Sequence, residues 1–329
     1  MAKKLTKAIK YILAIGIAAA LLWAALRGID WKVFLEGLKQ TRWGFVLLSV
    51  GCAVCSNFFR EERWRDLMLP MDPQASRLRL WDALNIGNAV SVAVPWAGLL
   101  VRTGAVRGNK ASYDKTLGTI LMERTWDMLM VVLLIISAVL ANSGDIARFL
   151  IDKVAVPFAG RLNLVICLVL LALIAVAAVG LWIIYHFRKQ SPLLDKLAGW
   201  IDGLLVGFKS FKDVRWKGRF VFYSMMVWLT YAGMCLCVFK AIPALEHLNF
   251  ADALFVSAVG SLSSLVPVPG GFGAYHYLVA LAISSIYGAS WETGILFATL
   301  NHESRALLLL LLGGISSVSS QVDGKKKSR

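Results

Sequence analysis

Residues 264–281 read SLVPVPGGFGAYHYLVAL, with two prolines and three glycines set into an apolar run. Proline removes a backbone donor and glycine loosens a helix, so PVPGGFG breaks any helix that enters it. The surrounding segment, Asp252 to Gly288, is apolar on both sides of the break. The piece before Pro267 is about 14 residues, roughly 21 Å as a helix, against the ~30 Å hydrocarbon core of a bilayer. The piece after Gly273 is similarly short. A helical hairpin that enters the membrane, turns and leaves on its own side fits these lengths. A second segment has the same character: Asp82 to Val101 reads DALNIGNAVSVAVPWAGLLV, with Asn85, Gly87, Asn88 and Pro95 inside it.

Around these two breaks lie ordinary spans. The apolar runs are Tyr11–Leu26, Trp43–Phe59, Thr116–Ala141, Leu162–Tyr185, Phe220–Ala241 and Thr293–Val318. Several reach the ~20 residues that a spanning helix needs. The 329-residue chain is 58% hydrophobic, with a mean hydropathy of +0.67, far above a soluble domain. The composition therefore predicts an all-α polytopic membrane protein: about six full spans plus two broken, re-entrant helical hairpins. Its longest polar stretch, His186 to Arg219, leaves no room for a separate soluble domain, and residues 1–329 read as a single integral membrane domain.

The formal charge of +15 is distributed unevenly. Lys3, Lys4, Lys7 and Lys10 precede the first run; no A-x-A cleavage site follows it, so it reads as a retained helix. Arg60, Arg63, Arg65, Arg77 and Arg79 follow the second run, Arg188 to Arg219 is the most basic loop, and the chain ends in Lys325–Lys327 and Arg329. The positive-inside rule places both termini and both of these loops in the cytoplasm. The first hairpin then enters from the cytoplasm and the second from outside. The order span, broken hairpin, span occurs twice in opposite orientation. The first repeat covers about 43–141 with its hairpin at 82–101, and the second about 220–318 with its hairpin at 252–288. Inverted repeats with discontinuous helices are a transporter arrangement.

Other chemistry finds little support. The five cysteines lie in apolar segments; Cys52 and Cys55 form a CxxC without a second pair at zinc-like spacing, which reads as a packing face. The four histidines are scattered, which argues against a metal centre. There is no Walker A, GxSxG or dinucleotide fingerprint, so neither a cofactor nor nucleic acid is implied, and movement of a substrate would be passive or ion-coupled.

Taken in order, RxxRW (Arg60, Arg63, Trp64), VPWAGLLVR (94–102), GTILMERTWD (118–127), PGGFGAYH (269–276) and Arg305 resemble the transmembrane, flippase-like domain of lysylphosphatidylglycerol synthases. The resemblance covers essentially the whole chain and is to a stand-alone member without the aminoacyltransferase domain. It implies lipid translocation rather than lysyl-lipid synthesis, not an enzyme, in a bacterial cytoplasmic membrane. The chain departs from the family at Leu99, where an acidic residue is common, and at His276, where many members carry Glu.

Ionisable groups inside spans cost ~2.5–3.5 kcal/mol on insertion scales and so are candidate functional residues. Glu123 and Asp127, at i and i+4, share a helix face, and Arg124 is spaced to pair with Asp127. Arg305 follows the second hairpin as Arg124 follows the first, and a guanidinium in each half suits a phosphate. Arg305 has a structural alternative, an ion pair with Glu303 or Asp127. Arg102 and Arg107 stand where anionic head groups would collect, His276 adjoins the glycine turn, and Glu292 and Glu303 rank lower. The candidate substrate-binding set is Arg102, Glu123, Arg124, Asp127, Pro269, Gly270, Gly271, Gly273, His276 and Arg305. Membrane lipids with anionic head groups are the implied partners, with a homo-oligomer left open. Competing readings are a membrane-embedded enzyme or accessory factor for polyprenyl-phosphate-linked sugars, and a non-catalytic scaffold.

Overall fold

The computed structural model describes residues 29–94, 97–106, 112–141, 178–266 and 268–327, together with 22, 23, 26, 27, 152, 175 and 176. The expected spans Tyr11–Leu26 and Leu162–Tyr185 fall largely outside these residues, as do Pro95, Trp96, Arg107 and Pro267. Among the described residues every regular element is helical. A short helix α1 (Trp31–Gln40) is N-capped by the Asp30 carboxylate, and α2 (Trp43–Met68) follows it. The first hairpin is α3 (Arg77–Ala93) and α4 (Ala97–Val106). It leads into α5 (Tyr113–Ala141). An amphipathic helix α6 (Pro192–Lys209) precedes α7 (Lys217–Ala241). The second hairpin is α8 (Phe250–Ser261) and α9 (Ala274–Tyr287), and α10 (Trp291–Lys327) closes the fold.

Three of these helices, α2, α7 and the 291–320 part of α10, are long and apolar enough to cross a membrane. Their surfaces follow the rule for lipid solvent. Leu47, Leu48, Phe58, Leu307, Leu311 and Ile315 are exposed, while Arg60, Arg63 and Glu123 are buried. Outward leucine costs nothing where the solvent is hydrocarbon, and backbone and charged groups must be satisfied inside.

α2 and α7 run antiparallel and are tied at both ends. At one end the Arg42 amide donates to the Ala241 carbonyl at 2.9 Å, and Arg42 pairs with Glu246 at 2.9 Å. At the other end Arg219 pairs with Asp66. The larger apolar core lies among α7, α8, α9 and α10, around Phe239, Phe255, Val256, Ile283 and Phe297.

Both breaks fall where the sequence puts them. In the first hairpin, α4 folds back on α3 through glycine: a Cβ on Gly98 would run into the Gly87 carbonyl and the Ser91 hydroxyl. Backbones approach this closely only where both side chains are absent. In the second, α8 runs on through a 3-10 turn at Leu262–Leu265, and a further turn at Pro269–Gly271 forms the tip. Gly270, Gly271 and Gly273 have φ of 56°, 81° and 78°, the left-handed region that an L side chain resists. The first hairpin runs past both expected bounds, from Arg77 to Val106, and the second starts two residues early at Phe250 and ends at Tyr287.

Two expectations about the loops are corrected. α2 does not end at Phe59 but continues to Met68, so Arg60 and Arg63 are buried helix residues and not part of a cytoplasmic loop. The carboxylates on the same turns are met from other helices, Glu62 by Arg77 and Asp66 by Arg219. The basic stretch after residue 186 is likewise not an open loop, since α6 occupies 18 residues of it. Leu193, Leu194, Leu197, Ile201, Leu204 and Leu205 recur there at helical spacing.

Candidate functional site

Polar side chains gather inside the bundle in two clusters. The first is built on α2, α4 and α5. Glu123, fully buried, receives Arg102 at 2.7 Å, Arg63 at 3.2 Å and Arg60 at 3.6 Å. Arg63 also binds Asp127 at 2.7 Å. Residues 60 and 63 are one helical turn apart, as are 123 and 127, so each helix presents a charged face to the other. Arg102 lies flat on Trp64, its Cζ 3.7 Å from the ring centroid, and the Trp64 indole donates to Thr119 at 3.0 Å. Three guanidiniums thus meet two carboxylates.

The second cluster sits at the tip of the second hairpin, on α9 and α10. Glu303 Oε1 lies 3.2 Å from His276 Nε2 and 3.0 Å from His302 Nδ1. The other nitrogen of His302, Nε2, is 2.8 Å from the Gly270 carbonyl. The His302 ring is wedged between Phe272 and Tyr275, with centroids 5.0 Å from each. Asn301 donates to the Tyr275 hydroxyl at 2.6 Å. His276 Nδ1 and Asn301 Oδ1 are buried without a hydrogen-bond partner.

Tyr231 on α7 stands between the clusters, within electrostatic reach of Arg60, Asp127 and Arg305. Arg305 donates to its hydroxyl at 3.2 Å and lies over its ring, with Cζ 4.9 Å from the centroid. The tip also meets the first hairpin: the position a Gly270 Cβ would occupy is 3.2 Å from the Val92 carbonyl at the end of α3. What lies against the PGGFG backbone is therefore, at Gly270, the other hairpin.

The residues singled out in the sequence divide as follows. Arg102, Glu123 and Asp127 come together in the first cluster. Gly270 and His276 belong to the second, and Pro269, Gly271 and Gly273 shape its turn. Arg124 does not join: it is exposed, and Arg63 takes the place beside Asp127 that the spacing assigned to it. The ion pair considered for Arg305 with Glu303 or Asp127 is absent, since its contacts are with Tyr231. Glu303, ranked low, is the centre of the second cluster, whereas Glu292 accepts from the Asp30 amide at 3.4 Å at an exposed end. Trp126 packs, against Phe211 and Phe220. Arg60, Arg63, Tyr231 and His302 were not in the set. The RxxRW spacing signalled the first two, one turn apart on a helix, and NHESR contained the last. Two of the four scattered histidines are neighbours in space, with ring centroids 5.5 Å apart.

An all-helical bundle with membrane-length helices, an interior of paired charges and a lipid-compatible exterior is a multi-pass membrane protein. The model of the lysylphosphatidylglycerol synthase TM region matches residues 11–313, and the chain belongs to that family. No match was found among curated proteins or among solved structures.

Proposed function

We propose that this protein is a lipid translocase of the bacterial cytoplasmic membrane, passing an anionic lipid head group through its polar interior while the acyl chains stay in the bilayer. The observation that carries this reading is Arg305. It is a cation within the membrane-length part of α10, and its partners are the hydroxyl and ring of Tyr231, with no carboxylate among the described residues. A charge held at membrane depth without a counter-ion favours an anionic ligand, and a guanidinium fork suits a phosphate. The two broken hairpins support the reading, because half-helices that meet inside the bundle are how transporters place backbone against substrate. The first turn of α9, N-capped by Gly273, has no side-chain cap, so its amides are further candidate donors.

In this reading the hairpins are re-entrant from opposite faces, the two halves form an inverted repeat, and both termini are cytoplasmic. The head group moves without covalent chemistry.

The test is transbilayer movement in proteoliposomes carrying a head-group-labelled phospholipid, followed by chemical quenching of the outer leaflet. The full chain should raise the quenchable fraction above protein-free vesicles, and Arg305→Ala should abolish most of the gain. No movement of any phospholipid or lipid-linked glycan tested would overturn the proposal.

A further inference from the structure

His302 is held between two acceptors. A backbone carbonyl only accepts, so the 2.8 Å contact of Nε2 with the Gly270 oxygen requires the ring hydrogen to be on Nε2. In a neutral ring Nδ1 then carries a lone pair, and that lone pair faces Glu303 Oε1 at 3.0 Å. Lone pair against carboxylate is repulsive unless a positive charge lies between them. The same carboxylate oxygen is met by His276 Nε2 at 3.2 Å. The donor atoms of His276, His302 and Glu303 all lie within 4.8 Å of one another.

We infer that His276 Nε2, His302 Nδ1 and a Glu303 carboxylate oxygen form a binding site for a divalent transition metal of the zinc class. Two ligands on a tetrahedral zinc ion, with bonds of ~2.0–2.1 Å, lie ~3.4 Å apart. The two imidazole–carboxylate separations of 3.0 and 3.2 Å need to open by only a few tenths of an ångström, while the third pair, His276 Nε2 and His302 Nδ1, starts within 4.8 Å. The donor set of two imidazoles and one carboxylate is one zinc accepts, with a fourth position left for water or an oxyanion. The surroundings of His302 match what a metal-bound histidine requires, whereas His276 Nδ1 has no acceptor among the described residues. His302 donates its other N–H to a backbone carbonyl, which fixes the tautomer, and Phe272 and Tyr275 fix the ring plane. The His276 side chain is 5% exposed and that of His302 14%, while that of Glu303 is 32% exposed, which leaves a way in for the ion. His302 also ties the ion to the hairpin tip through Gly270, which touches the end of α3.

The experiment uses the full-length protein, purified in detergent without a polyhistidine tag, stripped with chelator and titrated with Co²⁺. Uptake of a single equivalent with visible d–d absorption, displaced by Zn²⁺, is expected. His302→Gln and Glu303→Gln should weaken the apparent affinity by about tenfold or more, whereas Arg42→Ala should leave it unchanged. Thermal unfolding of each variant confirms the fold; should His302→Gln fail to fold, His276→Gln and Glu303→Gln carry the comparison. Absence of Co²⁺ uptake, or uptake unaffected by these substitutions, would overturn the site. So would nitrogen NMR showing His302 as an imidazolium indifferent to Zn²⁺, since the positive charge would then be a proton. Metal binding without lipid movement would retire the translocase reading alone, and lipid movement without metal binding would retire the metal site alone.

Discussion

The two polar clusters use the same kinds of residue to opposite ends. Around Glu123 each carboxylate meets at least one guanidinium, and Arg63, Arg102 and Glu123 are almost completely enclosed. Around Glu303 one carboxylate oxygen is shared by two imidazoles, the carboxylate is partly open, and the nearby Arg305 has a hydroxyl in place of a counter-ion. Enclosed ion pairs between helices hold those helices in one arrangement. A set with an open position and an unmatched cation is prepared for something that arrives. The first cluster is therefore built as a frame, and in the translocase proposal the second, with Arg305, is where a ligand would act.

The largest effect should come from breaking the frame. Arg63→Ala strands Asp127 and takes one of three guanidiniums from Glu123, and removing one member of a buried pair costs about 3–5 kcal/mol. Denaturant or thermal unfolding in detergent should show that loss, or no folded protein at all. Gly98→Val drives a side chain into the Gly87 carbonyl, and overpacking of this kind costs about 1–3 kcal/mol; the same measurement applies, with α3–α4 cross-linking as a local probe.

Arg305→Ala sharpens the comparison, because it should separate activity from stability. One charge-assisted hydrogen bond is worth ~1.5–3 kcal/mol, so transbilayer movement should fall about tenfold or more while the unfolding midpoint hardly changes. A variant that unfolds as readily as Arg63→Ala would place Arg305 in the frame after all. Gly270→Ala forces a side chain into φ of 56° at a cost of about 1–2 kcal/mol, and should slow movement by loosening the tip.

The smallest effect is expected at the exposed Arg42–Glu246 pair, where the guanidinium holds the Glu246 carboxyl below its usual range. With its folded value depressed, Glu246 contributes to stability above the ordinary glutamate pKa. That contribution fades as pH falls through the folded value. Arg42→Ala should remove this acid sensitivity with little change at neutral pH, read as unfolding midpoint against pH.

The hairpins were legible from Pro95, Pro269 and the glycines, because a helix break is a local property of the chain. Glu123 and Asp127 were legible for a related reason, since a charge within an apolar run stands out against its own neighbours. Arg60 and Arg63 carried a spacing signal in RxxRW, but REERWRD reads as polar loop until the carboxylates of α5 are set against it. His302 and Glu303 were hidden differently. Their partner His276 lies 26 residues away from His302 in sequence on another helix, and no periodicity within either helix encodes that meeting. Arg124 shows the converse error: correct spacing for a pair on its own helix, outcompeted by a better-buried guanidinium from α2.

The double tie between α2 and α7 has a mechanical consequence. Two rods fastened at both ends resist sliding past one another, so this pair is braced against axial displacement. The α3–α4 and α8–α9 hairpins approach one another at Gly270 and Val92, where a Cβ on Gly270 would come within 3.2 Å of the Val92 carbonyl. In the translocase proposal, a stroke that spares this double tie would have to be made by the two tips.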